Sequence, residues 1–161
     1  MIVVSDSSPL ITLAKIDCLR HLQALFGTIH IPIEIEQEIK AKGPAQGVPD
    51  VINLMQGWLI VQKPSTIHSF PGLHPGEAAA ISLAIEQSAR LLIDEKAGRK
   101  VAATYGVAVV GTVGILEELA ERRLINLSEA FDQLKATNFR FPSVALDTIL
   151  KLFEEQRSKA P

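Results

Sequence analysis

The sequence holds a single cysteine, Cys18, among its 161 residues. An internal disulfide is therefore impossible, and a metal site built mainly on thiolates is excluded. Aromatic residues make up 5% of the chain, with one tryptophan, Trp58, and one tyrosine, Tyr105. Rings this isolated do not suggest a base-stacking platform, and both read as core packing. The four histidines, His21, His30, His68 and His74, share no metal-ligand spacing. Basic residues are not in excess, since 16 Lys and Arg stand against 18 Asp and Glu for a net charge of −2. That argues against a broad cationic surface for nucleic acid but leaves room for a local basic rim. No apolar run approaches the ~20 residues that span a bilayer. Met1 leads directly into an apolar run with no basic segment before it, so no signal peptide is expected and the expected location is cytoplasmic.

What is present is ordinary globular composition, 47% hydrophobic and 21% charged. Without repeats or low-complexity linkers, residues 1–161 read as a single domain. Ile2-Val3-Val4 is a β-branched run that ends in Ser5-Asp6, as a strand buried on both faces would. A helix follows over 9–16, with Ser7 or Ser8 as its cap and Pro9 at its first position. Asp17 is placed to cap a second helix that Gly27 stops. Further strands are expected over 28–31, 58–61, 90–93 and 107–110. Helices are expected over 32–42, 50–57, 75–88, 96–105, 112–123, 127–137 and 143–157, with a Gly- and Pro-rich loop over 43–50. Strands that alternate with helices imply a parallel sheet of about five strands covered on both sides.

Three carboxylates share one rule of placement. Asp6 ends the first strand, and Asp94 ends the Leu91-Leu92-Ile93 strand with Glu95 beside it. Glu77 lies in the first turn of an Ala-rich helix, on the same face as Ile81, Ala84 and Ile85. In a parallel sheet Asp6 and Asp94 emerge at the same edge, where α/β folds bind ligands. Each position has a plain alternative, since Asp6 and Asp94 could cap helices and Glu77 gains from a helix dipole wherever it sits. Together they resist ionisation unless a cation lies among them, and oxygen ligands suit Mg²⁺ or Mn²⁺. A further acid is available from Glu34, Glu36 and Glu38. Glu36–Lys40 and Glu38–Lys42 are spaced as i,i+4 ion pairs, and spacing alone does not choose between Glu34 and Glu38. Thr112 could support the site or cap its own helix. Cys18 reads as a small buried residue, and His74 as a capping or loop residue near Glu77.

These residues resemble the PIN domain family, in particular small stand-alone prokaryotic members related to VapC-type toxins. The markers are Val4-Ser5-Asp6-Ser7-Ser8-Pro9-Leu10-Ile11, Ile31-Pro32 leading to Glu38-Ile39, and Leu73-His74-Pro75-Gly76-Glu77-Ala78. Leu92-Ile93-Asp94-Glu95 with Gly98-Arg99 and Gly111-Thr112-Val113-Gly114-Ile115-Leu116 complete the set. The resemblance implies a three-layer α/β/α sandwich and a metal-dependent endoribonuclease, and it offers the toxin of a type II toxin–antitoxin pair as a role. It implies Asp6, Glu38, Glu77 and Asp94 as catalytic residues and as ligands of one or two Mg²⁺ or Mn²⁺ ions, with Glu95 a rival for the fourth place. Ser7, in place of the family's frequent threonine, keeps a hydroxyl beside the first acid. Lys96, Arg99 and Lys100 could hold RNA phosphates or form the exposed face of a helix. An antitoxin laying a helix across the site and a homodimer are the protein partners implied as possible, and no membrane partner is expected. A catalytically silent PIN-like binding or assembly module is the alternative. Phosphotransferase folds with an aspartate after the first strand fit less well, because Ser8 stands where a second aspartate is needed.

Overall fold

A computed structural model describes residues 1–48 and 50–159. Five short strands form one parallel sheet in the order β3-β2-β1-β4-β5. They are β1 (Val3–Ser5), β2 (Ile29–Ile31), β3 (Leu59–Val61), β4 (Arg90–Leu92) and β5 (Val109–Val110). Each lies within one or two residues of its expected span. β1 is central, and Ser5 stands in register with Leu92. The chain builds β2 and β3 on one side of β1 and β4 and β5 on the other. The strand order therefore reverses between β1 and β4, and that point is where such sheets form a ligand crevice. Among the described residues no helix is long and apolar enough to cross a membrane.

The residues group into two compact units, 1–112 and 113–161. In the first, helices flank the sheet: α1 (Ser7–Lys15), α2 (His21–Phe26), α3 (Ile33–Ala45), α4 (Val51–Leu54), α5 (Pro75–Gln87) and α6 (Lys96–Thr104). This is the expected α/β/α arrangement. The strands and α5 supply its core. Val4, Ile29, Ile31, Leu91, Leu92 and Ile93 are fully buried, and Gly76 to Ala84 of α5 are buried without a break. A helix buried on all sides needs small apolar residues, which Ala78-Ala79-Ala80-Ile81 provide. The second unit holds most of α7 (Thr112–Glu121), then α8 (Leu127–Lys135) and α9 (Ser143–Lys159). Its centre is Leu127, Phe131, Leu134 and Leu146. The Asn126 side chain caps α8 by accepting from the Glu129 N–H, and Lys135 pairs with Asp147 at 2.6 Å.

Several local expectations change. α1 begins at Ser7, so neither Ser7 nor Ser8 caps it and Asp6 occupies the cap position without a side-chain capping bond. α2 begins at His21, and Asp17 sits in a left-handed turn at φ 54° rather than capping it. α3 continues past Lys42 to Ala45, with Pro44 inside its last turn. Pro49 of the expected loop lies outside the described residues. Asp50 caps α4 and Gly27 ends α2 at φ 72°, as expected. Trp58 is buried, but Tyr105 is 53% exposed and is not core packing.

Candidate functional site

Among the described residues seven polar or charged ones are buried, and five of them, Ser5, Asp6, Ser7, Glu77 and Thr112, stand at strand ends or helix starts. Asp6 follows β1, and its N–H donates to the Leu92 carbonyl of β4 at 2.9 Å. That bond holds Asp6 at the switch point. Its side chain is 3% exposed, and Oδ1 is buried with no hydrogen-bond partner. Burial pushes the Asp6 carboxyl from its ordinary 3.8 up to about 7. The Ser7 backbone N–H opposes this shift, the charges of Glu38 and Glu77 add to it, and Lys42 offsets a little. Glu77, in the first turn of α5 and 8% exposed, is also raised. Burial is its first cause, followed by Glu95, with His74 and Lys42 lowering it and Glu38 raising it.

Glu38 is held from both sides. Ser7 Oγ donates to its Oε2 at 2.8 Å, and Lys42 Nζ lies 3.6 Å from the same oxygen. The expected Glu36–Lys40 pair forms as well, also at 3.6 Å. Glu34 is half-buried with Oε2 unpartnered, yet it is not among the charges that raise Asp6 or Glu77. Asp94 is satisfied differently. Ser8 Oγ donates to its Oδ2 at 3.2 Å, and Thr112 donates through its N–H to Oδ1 at 2.7 Å and through its hydroxyl to Oδ2 at 2.8 Å. Asp94 thus secures the start of α7 and not of α6, whose cap position is held by Glu95. Glu38 and Glu77 act on Asp6, and Glu95 and Glu38 on Glu77, while Asp94 is held by two hydroxyls and a backbone N–H. Lys96 is exposed and Arg99 half-buried on α6.

Three glycines make room for these acids. A Cβ on Gly76 would run into the Glu38 carboxylate and lie 3.0 Å from Ile35 Cδ1. One on Gly98 would sit 3.0 Å from Glu77 Oε2 and 2.7 Å from Ile93 Cδ1. One on Gly111 would sit 2.9 Å from Asp94 Oδ1 and 2.6 Å from Arg99 Nη1. In the sequence these glycines stand only as markers of the family resemblance. A signal of their role was present, since a glycine within α6 costs ~1 kcal/mol against alanine and needs a reason. Among the described residues, no three His, Cys, Asp or Glu side chains stand close enough together to hold a metal ion as placed. The donor set still suits a hard divalent cation: oxygen ligands of like charge, one of them buried with a free lone-pair oxygen.

The raised carboxyls fix a sign for stability. A group whose folded pKa is raised stabilises the fold below its unfolded pKa, and that contribution is lost as pH rises through the folded value. For Asp6 the window runs from 3.8 to about 7, and Glu77 acts in the same direction. The metal-free protein is expected to lose several degrees of melting temperature across that window, and Asp6→Asn is expected to flatten the decline. A wild-type melting temperature that stays level or rises there contradicts the burial of an uncompensated Asp6.

The solved structure of a PilT N-terminus domain protein from the hyperthermophilic archaeon Sulfolobus solfataricus P2 is similar in fold, with a TM-score of 0.58 at 20% identity. The match covers 78% of this chain and 97% of that one. No curated protein matches the chain. A family model described as DUF3368: PIN domain matches residues 2–155. PIN domains are generally nucleases and typically use divalent metal ions. With a match of that extent, the chain belongs to the PIN domain family.

Proposed function

We propose that the protein is a single-domain, Mg²⁺- or Mn²⁺-dependent endoribonuclease. The observation that carries this is Asp6: a buried carboxyl with an unpartnered oxygen, facing other acids, at the switch point of a PIN domain sheet. Asp6, Glu38, Glu77 and Asp94 would hold the ion, with Glu95 the alternative to Asp94. When bound, Mg²⁺ or Mn²⁺ supplies an activated water and offsets charge on the phosphodiester. The chain's own part is positioning. Ser7 fixes Glu38, while Ser8 and Thr112 fix Asp94. Lys96 and Arg99 on α6 are the groups to hold phosphates on either side of the bond to be cut. Arg99 suits that task because its guanidinium offers several donors in one plane.

The family resemblance adds a toxin role, an antitoxin partner and a homodimer to this proposal, and the sequence adds a cytoplasmic location. One observation favours a second reading, a PIN-like module that binds without cutting: the acids are not gathered to ligand spacing as placed. Cleavage separates the two.

Asp6→Asn is expected to abolish Mn²⁺-dependent cleavage of single-stranded RNA by protein freed of host nucleases, with circular dichroism unchanged. Glu38→Gln is expected to lower cleavage by tenfold or more, and Glu34→Gln to leave it near wild type. Cleavage retained by Asp6→Asn sinks the nuclease assignment, and the reverse order for the two glutamates moves the second ligand to Glu34. Gly76→Ala supplies an independent check. Alanine in a helix normally adds ~0.5–1 kcal/mol of stability over glycine, and Glu38 is flexible enough to swing aside. The variant should therefore melt near the wild-type temperature yet lose most of its cleavage. Full activity in Gly76→Ala would show that the position of Glu38 does not matter.

A further inference from the structure

Three rings meet beside α5 and α6. Phe70 and Tyr105 lie edge to face with centroids 5.5 Å apart, and His68 lies 5.9 Å from Phe70 and 6.2 Å from Tyr105. Phe70 is buried and forms the floor of the group. Tyr105 is 53% exposed, and His68 is exposed beside it. A cluster that served only to pin its loop would turn its rings inward, and here one of the three does so. The loop is in any case pinned by other means. Ser65 donates through its N–H and its hydroxyl to Glu86, each at 2.8 Å, and the His68 N–H donates to Ser82 Oγ at 2.9 Å. The rings are held on α5 without having to do the holding.

Helix α6 joins this group to the acids. Glu95 is at its N-terminal cap and Tyr105 at its C-terminal cap. Between them α6 carries Lys96, Arg99 and Lys100 and no acid, three positive charges in a chain of net charge −2. In chain order along α6 the three cations lie between the acids at its N-terminal end and the rings at its C-terminal end. The nine residues of α6 span roughly 14 Å at ~1.5 Å each. Stacked nucleotides at ~3.4 Å each would cover that distance in roughly four.

We infer that the Tyr105–His68 surface stacks unpaired bases of a single-stranded RNA whose scissile phosphate lies at the acids. This rests on the nuclease reading, and it adds a path for the substrate that the acids do not define. Single strands are recognised by a cationic track combined with exposed rings, because every base has a stackable face while the bases of a duplex do not offer theirs.

The test uses the full-length Asp6→Asn protein, so that RNA is held without being cut, and a labelled oligouridylate carrying 5-iodouridine. Fluorescence anisotropy gives the Kd, and ultraviolet crosslinking with peptide mapping gives the contact. Tyr105→Ala, made in that background, is expected to weaken single-strand binding about tenfold, within the range that stacking on one ring supplies. Tyr105→Phe is expected to bind within twofold of its parent. Crosslinks should map to Tyr105 or His68, and binding of duplex RNA should be unaffected by either change. His68→Ala, at an exposed position, is a second variant that leaves the fold intact, and it should weaken single-strand binding in the same sense. Unchanged binding in both alanine variants, crosslinks elsewhere, equal losses for duplex and single strand, or no binding of single strands at all would each overturn the stacking site. Cleavage by the wild-type protein is scored separately. Cleavage without dependence on Tyr105 removes the stacking site alone, and ring-dependent binding without cleavage removes the nuclease reading alone.

Discussion

Burying Asp6 without a counter-charge is the constraint on which the site depends. An ionised carboxylate out of water costs several kcal/mol unless it is paired, protonated or bound to a cation. Asp6 has no ion-pair partner, and its neighbours Glu38 and Glu77 share its sign. In the metal-free protein the Ser7 N–H and the Lys42 charge relieve this only in part, and burial lifts the carboxyl to about 7. A core that was free to choose would place an apolar residue here. Keeping an acid at the end of the central strand makes sense where a cation takes the proton's place, and the family to which the chain belongs supplies that context.

The surrounding residues divide between holding acids and making space for them. Ser7 and Ser8 send their hydroxyls to Glu38 and Asp94, residues 31 and 86 positions away, rather than to the start of their own helix. Thr112 gives Asp94 two more donors. Gly76, Gly98 and Gly111 leave out the Cβ that would displace Glu38, Glu77 and Asp94. Glu38 and Asp94 thus each sit against a hydroxyl donor, and α1, α3 and α5 have to come together before the cluster exists. These two acids are held before a ligand arrives, and drawing the acids to ligand spacing among the described residues is left for the binding step.

Much of this was legible in the sequence because the periodicities are strong. A β-branched run that ends in an acid, repeated at Asp6 and Asp94, is enough to put two carboxylates at one edge of a parallel sheet, and the register of Ser5 with Leu92 bears that out. The i,i+4 pairs on α3 and the glycine stop after α2 follow from local geometry and were read correctly. The misreadings share a cause. Ser7, Ser8 and Asp17 look like helix caps because capping is a local signal, whereas their real partners or backbone shapes are set by the tertiary fold. Tyr105 looked isolated in sequence, yet its ring partners come from a loop more than thirty residues earlier. The glycine within α6 signals a need for space, but the side chains that need it arrive from other elements and are not readable locally.

Proton release on metal binding tests the central claim most directly. Calorimetric titration of Mn²⁺ into the wild-type protein near neutral pH, in two buffers of different ionisation heat, counts the protons displaced. If a cation replaces the proton on Asp6, Mn²⁺ binding will release protons from the wild-type protein, and Asp6→Asn will lose that release. Absence of binding at millimolar Mn²⁺, or binding with the same heat in both buffers, would contradict the account.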